Sequence, residues 1–233
     1  VDPNPVVLRT VKSAPRESRI LRLWTDGEPV SWSVAKGGAS WLEPDSASGT
    51  TPDSLALTFD TSALAPGAYT DTLRFSAGEY VFAVPVRLEL AQLQVTQIAA
   101  DPVRPYVYLL HPGSGTSDDA FLLFVNTSTD RVERVLPIGL NPTDMTVQSN
   151  GQRLYVTNFG QPVTRVVDLA AQAELPPLVL GTDVDQVNAG RSGRMVVKSS
   201  GSSFGVRLID SATGAVLKSI NQGPGNGLTD PTG

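Results

Sequence analysis

Apolar and polar positions alternate along much of this chain in short runs with a period of two. Val30, Trp32 and Val34 fall on one side of a run whose other side is Ser31 and Ser33. Leu55, Leu57 and Phe59 do the same against Ala56 and Thr58. The longest stripe, Phe82, Val84, Val86, Leu88 and Leu90, opposes Pro85, Arg87 and Glu89. Such stripes predict half-buried strands packed as two sheets. Turn signals separate the runs, among them Asp26-Gly27, Gly37-Gly38, Pro66-Gly67 and Ala77-Gly78. No run combines a 3.6-residue period with helix caps. Residues 1–93 therefore predict a sandwich of about seven strands, of the immunoglobulin-like kind.

The later part of the chain repeats. Asn126, Asp168 and Asp210 each end an apolar run, and each stands 42 residues from the next. Gly139, Gly181 and Gly223 keep the same interval. A period in this range, with several short strands per unit, predicts β-propeller blades. The central unit reads as strands over 143–148, 153–157 and 163–169, with a last strand near 178–180. The unit before it reads as strands over 97–100, 105–110, 120–126 and 131–136, and the unit after it over 185–189, 193–198, 204–210 and 215–220. In each repeat the Asn or Asp side chain is expected to accept backbone N–H groups in a tight turn.

Residues 94–233 thus hold three blades and the start of a fourth at Leu228-Thr229-Asp230. Propellers close with about 4–8 blades, so the expectation is an incomplete propeller, either truncated or completed by a second chain. The fold class is all-β: an immunoglobulin-like β-sandwich over 1–93, then about three four-stranded blades over 94–233.

Two segments resemble known families. Val30-Ser31-Trp32-Ser33-Val34, Trp41-Leu42, Pro44, Ser48-Gly49-Thr50-Thr51-Pro52 and Leu64-Ala65-Pro66-Gly67-Ala68-Tyr69-Thr70, in that order, resemble a BACON-type domain. That resemblance covers about residues 5–92. It implies a seven- or eight-stranded module of bacterial extracellular proteins, for which carbohydrate or mucin binding has been proposed and which also serves as a spacer. The run from Asn126 through Ile138-Gly139, Pro142 and Gly151 to Leu154-Tyr155-Val156-Thr157-Asn158 resembles the YVTN-type β-propeller repeat. The third unit departs from it, with Val196-Val197-Lys198 at the signature and Asp185-Gln186 where a proline is usual. This second resemblance implies a bacterial or archaeal surface or secreted protein, in a group that also includes enzymes such as lactonases.

Composition narrows the partners. Lys and Arg number 8 against 11 Asp and Glu in residues 1–93, and 10 against 12 beyond. No basic block exists, so nucleic acid is not an expected partner. There is no cysteine, which removes disulfides and thiolate chemistry. The longest apolar stretch, Tyr80 to Val84, is too short to cross a bilayer as a helix. No cofactor is expected.

Candidate chemistry is sparse. All three tryptophans lie in the first segment. Trp32 and Trp41 are expected in its core, and Trp24, beside Asp26-Gly27, is the candidate for an exposed, sugar-stacking ring. The Tyr69 hydroxyl is expected to pin a corner. His111, the single histidine, stands with Asp118 and Asp119 in a Gly/Ser-rich stretch expected to be a solvated loop. A lone imidazole cannot supply a two- or three-histidine metal site. The expected catalytic, metal and cofactor sets are therefore empty, and Trp24, His111, Asp118 and Asp119 are binding candidates only. The functional expectation is a non-enzymatic, secreted or surface-displayed bacterial recognition protein, with carbohydrate or a surface protein as partner. The alternative is a propeller enzyme, lactonase-like or polysaccharide-acting, whose site on innermost strands is expected largely in missing blades, this chain offering only Gln97, Asp144, Gln148, Asp185 and Asn188.

Overall fold

The computed structural model describes residues 1–115, 119–181, 183–190, 193–199 and 205–221. It divides into two compact units, Val1–Leu93 and Gln94–Gly233. The described residues form strands, turns and bends, with no helix.

The first unit contains β1 (Val6–Val11), β2 (Glu17–Leu23), β3 (Ser31–Lys36), β4 (Leu42–Pro44), β5 (Ser48–Thr50), β6 (Asp53–Phe59), β7 (Gly67–Ala77) and β8 (Tyr80–Ala91). One sheet runs β1-β8-β7-β3-β5 and the other β2-β6-β4. β1 is parallel to β8, and β7 and β8 form one long antiparallel hairpin. The alternating apolar positions meet in a single core: Leu21, Leu55, Leu57 and Phe59 from one sheet pack with Leu73, Phe75, Val86 and Leu88 from the other. Trp32 and Trp41 belong to this core, against Phe75 and Phe59 respectively. The Tyr69 hydroxyl donates to the Ala65 carbonyl at 2.7 Å, tying the chain that enters β7 back on itself. The unit has eight strands, because the short β4 and β5 are both paired.

Gly49 pairs with Trp32 across β3 and β5 and lies beneath its indole. A Cβ at Gly49 would come within 2.7 Å of Trp32 Cζ2 and would also meet the Asp53 carboxylate. The indole is buried in the core of the unit. Gly49→Ala should therefore destabilise the first unit by about 1–3 kcal/mol, the usual cost of overpacking a filled core. Urea unfolding followed by tryptophan fluorescence tests this, since every tryptophan lies in that unit; an unchanged midpoint would refute it.

The described residues of the second unit form three four-stranded meanders. The first is β9 (Gln97–Ala100), β10 (Tyr106–His111), β11 (Phe121–Asn126) and β12 (Arg131–Pro137). The second is β13 (Pro142–Val147), β14 (Arg153–Asn158), β15 (Val163–Asp168) and β16 (Ala173–Val179). The third is β17 (Val184–Ala189), β18 (Arg194–Ser199), β19 (Gly205–Asp210) and β20 (Val216–Asn221). β13 packs between β9 and β17, so the first strand of each meander is the innermost.

The repeat has a physical cause at each station. Asn126 Oδ1 accepts Ser128 N–H at 2.8 Å. Asp168 Oδ1 accepts Ala170 and Ala171 N–H, and Asp210 Oδ1 accepts Ala212 and Thr213 N–H, all at 2.9 Å. Gly139 and Gly181 close their repeats at φ +80° and +67°, where a side chain would be strained. Gly223, the Gly-rich stretch after it and the expected fourth-blade start at 228–230 lie outside the described residues.

One strand differs from its expected place. β16 begins at Ala173, five residues before the expected strand near Leu178. It carries Pro176 and Pro177, which lack N–H donors and suit an edge strand. A register shift between Thr164 and Val166 sets the two prolines opposite Arg165 and absorbs them.

Candidate functional site

The second and third meanders are joined by hydrogen bonds between residues almost one repeat apart. On β13, Asp144 Oδ2 accepts Val187 N–H at 3.0 Å and Thr146 Oγ1 accepts Ala189 N–H at 3.2 Å, both from β17. Asp144 Oδ1 takes Met145 N–H, so this inner-strand carboxylate is occupied with backbone. The Tyr155 ring is buried among Val187, Met195 and Ile209, and its hydroxyl donates to Ser211 O at 3.1 Å. Of the other inner-strand polar residues, Gln97 and Gln148 are half-buried and Asn188 is exposed. Asp185 is half-buried, and its Oδ1 has no hydrogen-bond partner among the described residues.

The first and second meanders meet over a denser polar cluster. Asp101 accepts the N–H groups of Val103 (2.8 Å) and Arg104 (3.0 Å), the Arg104 Nε–H (2.8 Å) and the Tyr108 hydroxyl. Arg104 also donates to the Gly151 carbonyl in the β13–β14 turn. Burial pushes the Asp101 carboxyl up, but the hydrogen bonds from Tyr108, Arg104 and Val103 outweigh it and hold it below the usual range. The Tyr108 phenol is raised by its burial and by that same carboxylate. The cluster is a filled brace between blades, with its donors and acceptors spent on one another.

An open concave surface lies elsewhere on these two meanders. It is a shallow cleft of about 450 Å³ lined by Pro112, Gly113, Ser114, Gly115, Asn141, Pro142, Thr143 and Phe159. Two connections build it. After β10 the chain turns at Gly113, φ +70°, where a Cβ would sit 2.8 Å from Ala120 N. Asp119 then receives Ser114 N–H on both carboxylate oxygens at 3.0 Å. On the other wall Asn141 takes φ +49°, and its carbonyl accepts Phe159 N–H at 2.8 Å. Asn158 locks that wall by donating Nδ2 to Ile138 O (3.1 Å) and Leu140 O (2.7 Å). Thr143 and Thr157 hydroxyls meet at 2.9 Å. Phe159, one residue past β14, is 59% exposed.

The sequence candidates fall apart in space. Trp24 is 50% exposed, but it belongs to the first unit. His111 is corrected from a solvated loop to the buried end of β10, 3% exposed. Its ring stacks on Phe121 with centroids 6.0 Å apart, and Nδ1 lies 3.1 Å from both N and O of Gln94. Burial follows from its place in strand register, opposite Phe121. Asp119 shapes the cleft wall, and Asp118 lies outside the described residues. Among the described residues, no three His, Cys, Asp or Glu side chains cluster to hold a metal ion. No helix among them is long and apolar enough to cross a membrane.

Phe159 and Asn141 went unnoticed in the sequence. The available signal was an aromatic residue directly after a strand that already ends on its buried polar cap, Asn158.

The meanders, their 42-residue spacing and their first strands turned toward one another describe a single arrangement. The second unit is built of β-propeller-type blades. No protein family matches the chain, and no curated protein matches it. Among solved structures it is similar to Kuenenia stuttgartiensis hydrazine synthase, at 20% identity and TM-score 0.46, over 53% of this chain and 34% of that one. It is also similar to the RRP9 WD40 repeats, at 13% identity and TM-score 0.46, over 55% and 39% of the two chains. The WD40 domain of Toxoplasma gondii coronin matches at 12% identity and TM-score 0.46, over 64% and 44%. The chain thus spans less than half the length of each of these structures.

Proposed function

We propose that the chain is a non-enzymatic recognition module of a secreted or surface-displayed bacterial protein. In this reading its first unit is a BACON-like, immunoglobulin-like sandwich, and its second unit is a set of YVTN-type blades that presents the ligand-contacting rim. The observation that carries the reading is the exposed Phe159 ring over an open cleft bordered by Ser114, Asn141 and Thr143. An aromatic face beside short hydroxyl and amide groups suits a neutral carbohydrate, whose C–H faces stack while its hydroxyls exchange hydrogen bonds. The anchoring of both walls through backbone hydrogen bonds supports a preformed site.

Phe159→Ala should weaken binding of a neutral oligosaccharide about tenfold, a loss of about 1.4 kcal/mol, and leave the thermal transition in place. A glycan array on the full chain, followed by titration calorimetry of the best hit against the variant, measures this. Uniformly null binding, or equal affinity of the variant, would sink the proposal.

A further inference from the structure

The first unit carries exposed large apolar side chains at one end, outside its core. β2 ends there, β3 and β6 begin there, and the β7–β8 hairpin turns there at Gly78-Glu79. Hydrogen bonds hold these loops together. Thr51 N donates to Val30 O and Val30 N to Thr51 Oγ1, both at 3.0 Å, and Leu23 pairs with Asp53. The Trp24 loop is pinned by the Thr25 hydroxyl, which lies 3.1 Å from Glu28 O. On this frame stand Trp24 at 50%, Tyr80 at 78% and Val81 at 75% exposure. The end is opposite the one where β8 finishes at Ala91 and the chain leaves the unit.

Large exposed apolar groups gathered at one end mark an interaction surface. The charge around them selects the partner. Asp26, Glu28 and Glu79 are exposed beside the rings, and none of them is in an ion pair among the described residues. Arg22, two residues before Trp24, leaves the end net acidic. We infer that this end docks a protein segment rich in arginine or lysine. A guanidinium or ammonium group stacks on the Trp24 or Tyr80 face while a neighbouring carboxylate pairs with it. The same acidity repels anionic lipid. This surface is independent of the cleft at Phe159.

The test uses the full chain with octa-arginine as probe, and titrates the emission of Trp24, the one exposed tryptophan. Binding should alter that emission and weaken as salt is raised. The variant Asp26→Asn/Glu28→Gln/Glu79→Gln should bind about tenfold more weakly, as should Trp24→Ala by anisotropy of labelled peptide. A charge-matched control, Asp130→Asn/Glu174→Gln/Asp183→Asn, should bind as the parent does. Equal loss in both triple variants would mean that only net charge matters, and would overturn the inference. So would unchanged Trp24 emission, or a larger change of that emission with phosphatidylcholine vesicles than with octa-arginine.

Discussion

Asp101→Ala should destabilise the second unit by about 3 kcal/mol, the cost of leaving enclosed hydrogen-bond donors without their acceptor. The substitution strips the carboxylate from Arg104, from the enclosed Tyr108 hydroxyl and from two backbone N–H groups. Arg104 keeps its bond to the Gly151 carbonyl, so the β13–β14 turn stays tethered and the loss concentrates at the Asp101–Tyr108 corner. Denaturant unfolding followed by far-UV circular dichroism measures it; a loss below about 1 kcal/mol, the worth of one ordinary hydrogen bond, would show that the brace is dispensable.

The same carboxylate predicts a pH dependence. Its folded pKa lies below the unfolded value of about 3.9, because the hydrogen bonds it receives outweigh its burial. Its contribution is therefore fully present above that unfolded value and is lost as pH falls through the folded pKa. Asp101→Asn should flatten the acid limb of the stability profile while leaving its shape near neutrality unchanged.

Tyr155→Ala should cost about 3–5 kcal/mol, as for other large buried aromatic truncations. The ring fills the seam between the second and third blades, and its hydroxyl reaches across to Ser211. Tyr155→Phe keeps the ring and removes only that bond, so it should cost about 0.5–1.5 kcal/mol. Hydrogen exchange separates the two effects: amides of β17 to β19 should lose protection strongly in the alanine variant and slightly in phenylalanine. Unchanged protection in β17–β19 for the alanine variant would mean that the third blade is held by the Asp144 and Thr146 bonds alone.

Much of the all-β, propeller-type character was legible in the residues because its causes are local. Period-two stripes place apolar groups on one face, and Asn126, Asp168 and Asp210 each satisfy their own turn within three residues. β16 was misplaced by five residues because Pro176-Pro177 reads as a break, whereas an edge strand with a register shift tolerates both. His111 was misread for a related reason: Gly and Ser follow it closely, but its own position still lies in register with Phe121.

The candidate site was hardly legible. Phe159 and Asn141 are 18 residues apart in the chain, and only the Phe159 N–H bond to the Asn141 carbonyl puts them on one wall. Trp24 could be singled out as a ring beside a turn, but its company with Tyr80 at one end depends on how two sheets are laid over each other.

By itself, then, the order of amino acids determined strands, turns and a repeat, since each of these needs only neighbours a few residues away. Tertiary structure decided which polar groups are consumed by packing, as at Asp101 and Asp144, and which aromatic rings stay in water, as at Trp24, Tyr80 and Phe159. Exposure is a property of what a residue is covered by, and the covering groups come from distant parts of the chain.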